Sequence, residues 1–341
     1  DEFGSDLVLA RMTMYIRALL FVVLPAMLVG APCGDARADG VLQALRTLAV
    51  PLRDAADLGP LVDAGGKVRV VLLGEASHGT HEFQVWRDRL SRRLIAERGF
   101  DFVAIEGDWT SLLPLDRYVR HQPDAPTSAR AALLQITRWP RWVWANTGLE
   151  ALGEWLRAFN RSRPAAQRVG IHGIDLYAIW ESLDAVLAFY RAHAPQAAAR
   201  VQALYHFLRG FRGDHRGYAE HVRRHRQSAR MQVAWVAREL AARYQRAGPA
   251  ERDVVFEALQ HARVVEAGER YLRNLPQRGP LSWNARTAHF AHTLARLMRH
   301  YGPSSRAIVW AHNTHVGDAR ATDMVRTGEV NLGQLARERY G

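Results

Sequence analysis

Glu75 and His78 stand three residues apart in a polar turn that follows the apolar run Val70-Val71-Leu72-Leu73. A carboxylate beside an imidazole favours its charged form and sets its pKa, which suits a general base acting on water. Three further apolar runs end the same way. Phe102 to Ile105 leads into Glu106, Val169 to Ile174 into Asp175, and Ala307 to Ala311 into His312, with His315 three residues on. Arg87 and Arg286 add cations on helical stripes that also carry Phe83 and Phe290. Two schemes use these groups. In one, a histidine is the general base on water, a glutamate tunes it, and cations stabilise the oxyanion. In the other, the same Glu and His residues hold a metal that activates water. Glu75-x-x-His78 spans a turn and is not H-E-x-x-H on a helix, so the metal-free scheme ranks first and no cofactor is expected. Other chemistries lack their motifs. There is no G-x-S-x-G elbow, and Ser77 beside His78 does not give a triad's geometry. Gly74-x-x-x-x-Gly79 is not followed by Lys-Ser/Thr, and no Gly-rich dinucleotide signature is present.

The elements that must position these residues follow from periodicity. The four apolar runs have the length of buried strands, and the segments between them have helical spacing. Strands alternating with helices predict an α/β fold with a largely parallel central sheet, right-handed crossovers and all carboxyl ends on one edge. The segment from His81 to Arg98 reads as a helix with Phe83, Trp86, Leu90 and Leu94 on one stripe and Thr80 as N-cap. From about 179 to 280 the pattern is helical, broken near Pro195, Gly210 to Gly217 and Gly248-Pro249. This stretch is expected to form a helical layer closing a cleft, with its His and Arg residues solvent-exposed. Trp139, Trp142 and Trp144 around Pro140 are expected in core or pocket wall.

Of the 341 residues, 48% are hydrophobic, which is ordinary for a protein with a sizeable core. The formal net charge is +12, nearly all arginine, with Lys67 the only lysine. The arginines are scattered over helices, so solvated helix faces are favoured over nucleic-acid binding. Met14 to Arg17, the apolar run Ala18 to Ala31 and the Ala36-Arg37-Ala38 site read as a secretory signal cleaved before Asp39. Residues 1–38 are thus an upstream scrap plus signal. The mature chain is expected in the periplasm or outside the cell, as a monomer with no stable membrane span. Cleavage would remove Cys33, the sole cysteine, and leave no disulfide. A weakly amphipathic helix (Val41, Leu42, Leu45, Leu48) is expected to open the mature chain. The abrupt stop at Tyr340-Gly341 suggests a C-terminal truncation.

Taken together, Gly74-Glu75-Ala76-Ser77-His78-Gly79-Thr80, Phe83 with Arg87, Ala104-Ile105-Glu106, Trp283-Asn284-x-Arg286 and Trp310-Ala311-His312-Asn313-Thr314-His315 resemble the erythromycin esterase family in order and spacing. The resemblance runs from about residue 40 to the end. It implies a hydrolase domain over 39–341 that opens an ester or macrolide lactone with water and without a metal. By the same resemblance His78 is the general base, and Glu75 and Glu106 position it and the water. Arg87, His312 and His315 complete the catalytic set. Arg286, Trp283 and Asp175 are assigned to substrate contact. Thr287 and Phe290 stand where relatives usually carry Asp and Met, so Arg286 is expected to lack its usual partner.

Overall fold

The computed structural model describes residues 36–49, 51–277 and 279–340. The apolar run Ala18 to Ala31 and Cys33 lie outside them. Residues Ala36–Leu48 form the helix α1, on which Val41, Leu42 and Leu48 are exposed. The chain up to Arg53 is one unit and the chain from Asp54 another, and all four strands belong to the second.

The elements of this second unit alternate as the periodicity predicts. The helix α2 (Gly59–Gly65) precedes β1 (Val70–Glu75) and α3 (His81–Arg98). Then come β2 (Phe102–Asp108), α4 (Trp109–Val119), α5 (Ala129–Leu133), α6 (Thr147–Asn160) and β3 (Gly170–Asp175). Five helices follow without a strand: α7 (Ile179–His193), α8 (Pro195–Arg209), α9 (His215–His225), α10 (Arg230–Arg246) and α11 (Arg252–Asn274). The chain closes with α12 (Leu281–Tyr301), β4 (Ala307–His312) and the short helices α13 (Asn313–Val316), α14 (Met324–Thr327) and α15 (Leu332–Tyr340).

All three strand pairings are parallel, in the order β1-β4-β2-β3. The period of two sorts each strand's side chains onto two cores. Phe102, Ala104, Ala307 and Val309 face the layer made mainly by α7 to α12. Val103, Ile105, Ile308 and Trp310 face α2 to α6. Both faces of β2 and β4 are therefore dry, which is why these runs are continuously apolar rather than alternating.

The predicted breaks at Pro195, Gly210 to Gly217 and Gly248-Pro249 all separate helices. A fourth, between α9 and α10, has no counterpart in the sequence pattern. Arg226 ends α9 with φ 55°, a left-handed conformation, and neither Gly nor Pro marks the spot. Nor are all the layer's histidines exposed: His261 is buried between α11 and α7, with Ser182 Oγ 3.3 Å from its Nδ1.

Candidate active site

The strand order decides what meets at the carboxyl edge. Because β4 inserts between β1 and β2, His312 lies directly across from Glu75 in register, with Glu106 on the other side and Asp175 beyond it. Two ionic centres form there, one supplied by the helix after β1 and the other by α12.

Glu75, buried at the end of β1, binds with both oxygens. His78 Nδ1 is 2.6 Å from Oε1, and Arg87 Nη2 donates to Oε2 at 2.7 Å. Arg87 is buried on α3, with its guanidinium carbon 4.9 Å from the centre of the Trp310 ring. Burial pulls its pKa below the ordinary value even with Glu75 alongside. This rules out an arginine snorkelling to solvent; Arg87 is committed to the carboxyl edge. Thr80 does sit at the N-cap of α3, but its side chain makes no cap bond and pairs with Ser77 instead.

Glu106 is the hub of the second centre. Its Oε2 accepts the His312 backbone N–H at 2.8 Å, and its Oε1 lies 2.9 Å from Arg286 Nη2 and 3.1 Å from His315 Nε2. Burial opposes its charge, but His315, Arg286 and the His312 amide outweigh that and hold its pKa down to about 2. The pairing of β2 with β3 slips between Ile105 and Asp108; such a bulge re-aims side chains locally. Arg286 also forks onto Asp175, Nε to Oδ1 at 2.9 Å and Nη2 to Oδ2 at 2.5 Å. The expectation of an arginine without its usual partner is therefore corrected: β3 and β2 supply the charge that Thr287 does not. Asp175 and Arg286, assigned to substrate contact, are bound to each other. Trp283 stacks on His315, ring centres 4.7 Å apart, and its Nε1 donates to Val330 O. It buttresses a histidine of the carboxyl edge.

The hydrogen bonds separate the three histidines. His312 Nε2 is 3.0 Å from the Ala76 carbonyl and must donate to it. Its Nδ1 then accepts, and the Thr314 hydroxyl and amide supply it. His315 is buried, with Nε2 engaged by Glu106 and Arg286 and Nδ1 without a partner among the described residues. His78 differs. Its side chain is 39% exposed, Glu75 holds only Nδ1, and Nε2 has no partner among the described residues.

A small pocket of about 20 Å³ opens here, lined among others by Glu75, His78, Arg87, Glu106, Trp144 and Trp310. Trp144 donates from Nε1 to the Glu106 carbonyl at 2.7 Å, close above Gly107. Trp142 packs on Gly79, whose φ of 82° suits glycine and where an added Cβ would lie 2.6 Å from the ring. Two of the three expected wall tryptophans thus reach the site, whereas Trp139 is exposed. Among the described residues, no group of three or more His, Cys, Asp or Glu side chains is placed to hold a metal ion.

Sequence reasoning missed Asp108 and Arg138. Asp108 is buried at the end of β2, accepting from Arg138 Nε at 2.5 Å and from the Ala178 amide at 3.0 Å. Burial first, then the neighbouring Asp175, raise its pKa to about 6. The one available signal was a second carboxylate two residues after Glu106; nothing marked Arg138, which arrives from a loop.

A family model described as erythromycin esterase matches residues 95–341. Solved structures share the fold. One described as a succinoglycan biosynthesis protein is 24% identical with a TM-score of 0.70, over 88% of this chain and 72% of that one. A Bacillus cereus protein is 22% identical at 0.72, over 89% and 72%. An erythromycin esterase EreC mutant in its open conformation is 16% identical at 0.55, over 84% and 71%. The family model spans most of the sequence, and the chain belongs to the erythromycin esterase family.

Proposed function

We propose that this hydrolase cleaves a carboxylic ester or macrolide lactone by general-base activation of water at His78. The observation that carries the reading is the hydrogen bonding of the three histidines. Only His78 combines a carboxylate on one ring nitrogen with an open, solvent-facing nitrogen on the other. Glu75 fixes the Nδ1–H tautomer, so Nε2 presents its lone pair to a water. That water attacks the ester carbonyl while its proton passes to Nε2. The imidazolium, stabilised by Glu75, then returns the proton to the leaving alkoxide, completing hydrolysis to acid and alcohol. His312 lies against the base, ring centres 5.2 Å apart, and the buried His315 holds Glu106 behind it. Arg286 acts by fixing Glu106 and Asp175. Arg87 fixes Glu75 through Nη2 and lines the pocket with its Nε unpartnered among the described residues, so it is the cation left for the oxyanion.

The test is initial rate against pH on an activated ester and on several macrolides, with mass spectrometry to detect the added water. His78→Ala should cost about 10²–10⁴-fold in rate with the fold retained, and a chelator should leave the wild-type rate unchanged. Near-wild-type rates in His78→Ala would sink the assignment. Loss of activity on chelation, restored by zinc, would move the same residues to a metal-dependent mechanism.

A further inference from the structure

A second cavity, about 170 Å³, lies between α11 and α12 and is lined by Arg263, Glu266, Arg270, His289, His292 and Arg296 among others. Three arginines share it with one carboxylate. Arg263 spends Nη1 on Glu266 at 2.7 Å, while its buried Nε has no partner among the described residues. Arg296 donates only to neutral atoms, Nε to Gln260 Oε1 at 2.9 Å and Nη2 to Thr293 Oγ1 at 2.8 Å. Its Nη1 and the exposed Arg270 have no hydrogen bond or ion pair among the described residues. Burial, with Arg263 and Arg299 nearby, pulls the Arg296 pKa down to about 9. His289 and His292 are likewise pulled below their ordinary values, by burial and then by Arg296.

Arg87 and Arg286 each meet a carboxylate. Here only Arg263 does, through Glu266, while Arg296 and Arg270 do not. Cations gathered around a concavity with too little compensating charge repel one another and leave a positive potential. An oxyanion would relieve both, and planar guanidinium forks fit the geometry of phosphate oxygens. We propose that this cavity binds a phosphoryl group, gripped by Arg296 and Arg270 with Arg263 and His292 beside it. The same groups would accept inorganic phosphate or the phosphate of a monoester.

The experiment uses the full chain, with calorimetric titration and thermal denaturation in inorganic phosphate and, separately, phenyl phosphate, ionic strength being held constant with chloride. Phosphate should raise the melting temperature beyond the chloride control. Arg270→Ala and Arg296→Gln should each weaken binding by about tenfold or more, the loss of one charge-assisted contact. Arg209→Ala, an exposed arginine on α8, should bind as wild type. Tighter binding of phenyl phosphate points to an ester and tighter binding of the free ion to phosphate itself; either supports the site. Arg270 is exposed, so its loss should not affect folding and the result stays readable if Arg296→Gln is unstable. A wild-type response no greater than chloride, or one that survives in Arg270→Ala, would overturn the proposal.

Discussion

At the scale of the residue, Glu75 serves two partners of different kinds, a half-exposed imidazole and a buried cation. Substitutions there should divide accordingly. His78→Ala removes a group near the surface, so its effect on stability should be small, within about 1 kcal/mol. Glu75→Gln leaves Arg87 buried without its counter-charge, and breaking a pair of this sort costs about 3–5 kcal/mol. Urea unfolding of both variants checks this, and equal stabilities would show that Arg87 finds another partner. Glu106 gives a pH dependence of definite sign. Its folded pKa, about 2, lies below the ordinary carboxylate value. Its contribution is therefore complete above about pH 4.5 and is lost as the pH falls towards 2, corresponding to about 3 kcal/mol. Asp108, raised to about 6, acts oppositely, since the fold favours its protonated form as the pH falls through that value. Wild type and Glu106→Gln, unfolded in urea at pH 5 and pH 2.5, should converge in stability at the lower pH. A constant difference would argue against the Glu106 cluster as its source.

At the scale of the element, Gly173 shows how closely the strands approach beside the β2 bulge. An added Cβ would lie 2.3 Å from the Asp108 carbonyl oxygen and 2.5 Å from that of Gly107. Both are backbone atoms and cannot rotate away. Gly173→Ala should therefore destabilise the fold by at least about 1–3 kcal/mol and lower activity by displacing Asp108 and Glu106. An unchanged denaturation midpoint would mean that the edge is softer than this packing implies. The strands and their terminal carboxylates were legible in the sequence because each apolar run is short, uninterrupted and followed at once by an ionisable residue. Arg87 was legible as an oddity on an apolar stripe. Arg138, the break at Arg226 and the burial of His261 were not, because each depends on a tertiary contact or a backbone angle that leaves no periodic trace. The partner of Arg286 was hidden for a related reason. Its charge comes from strands at a separation of 111 and 180 residues, and position 287 carried no hint of it.

At the scale of the whole molecule, periodicity supplied four strands but not their order. Placing β4 between β1 and β2 is a choice made by packing on both faces, and it alone puts His312 beside Glu75. The position of Arg286 has a mechanical consequence. Its side chain joins the first turns of α12 to the ends of β2 and β3 at once, so the helical layer is riveted to the sheet at the carboxyl edge. Parts near the rivet can move little, whereas α8 and α9 pack on other helices of the layer and are not held by it. Amide exchange should accordingly be slowest around Arg286 and in β2 and β4, and rise along α8 and α9. Uniform protection across the layer would mean that the layer is stiff throughout, with or without the rivet.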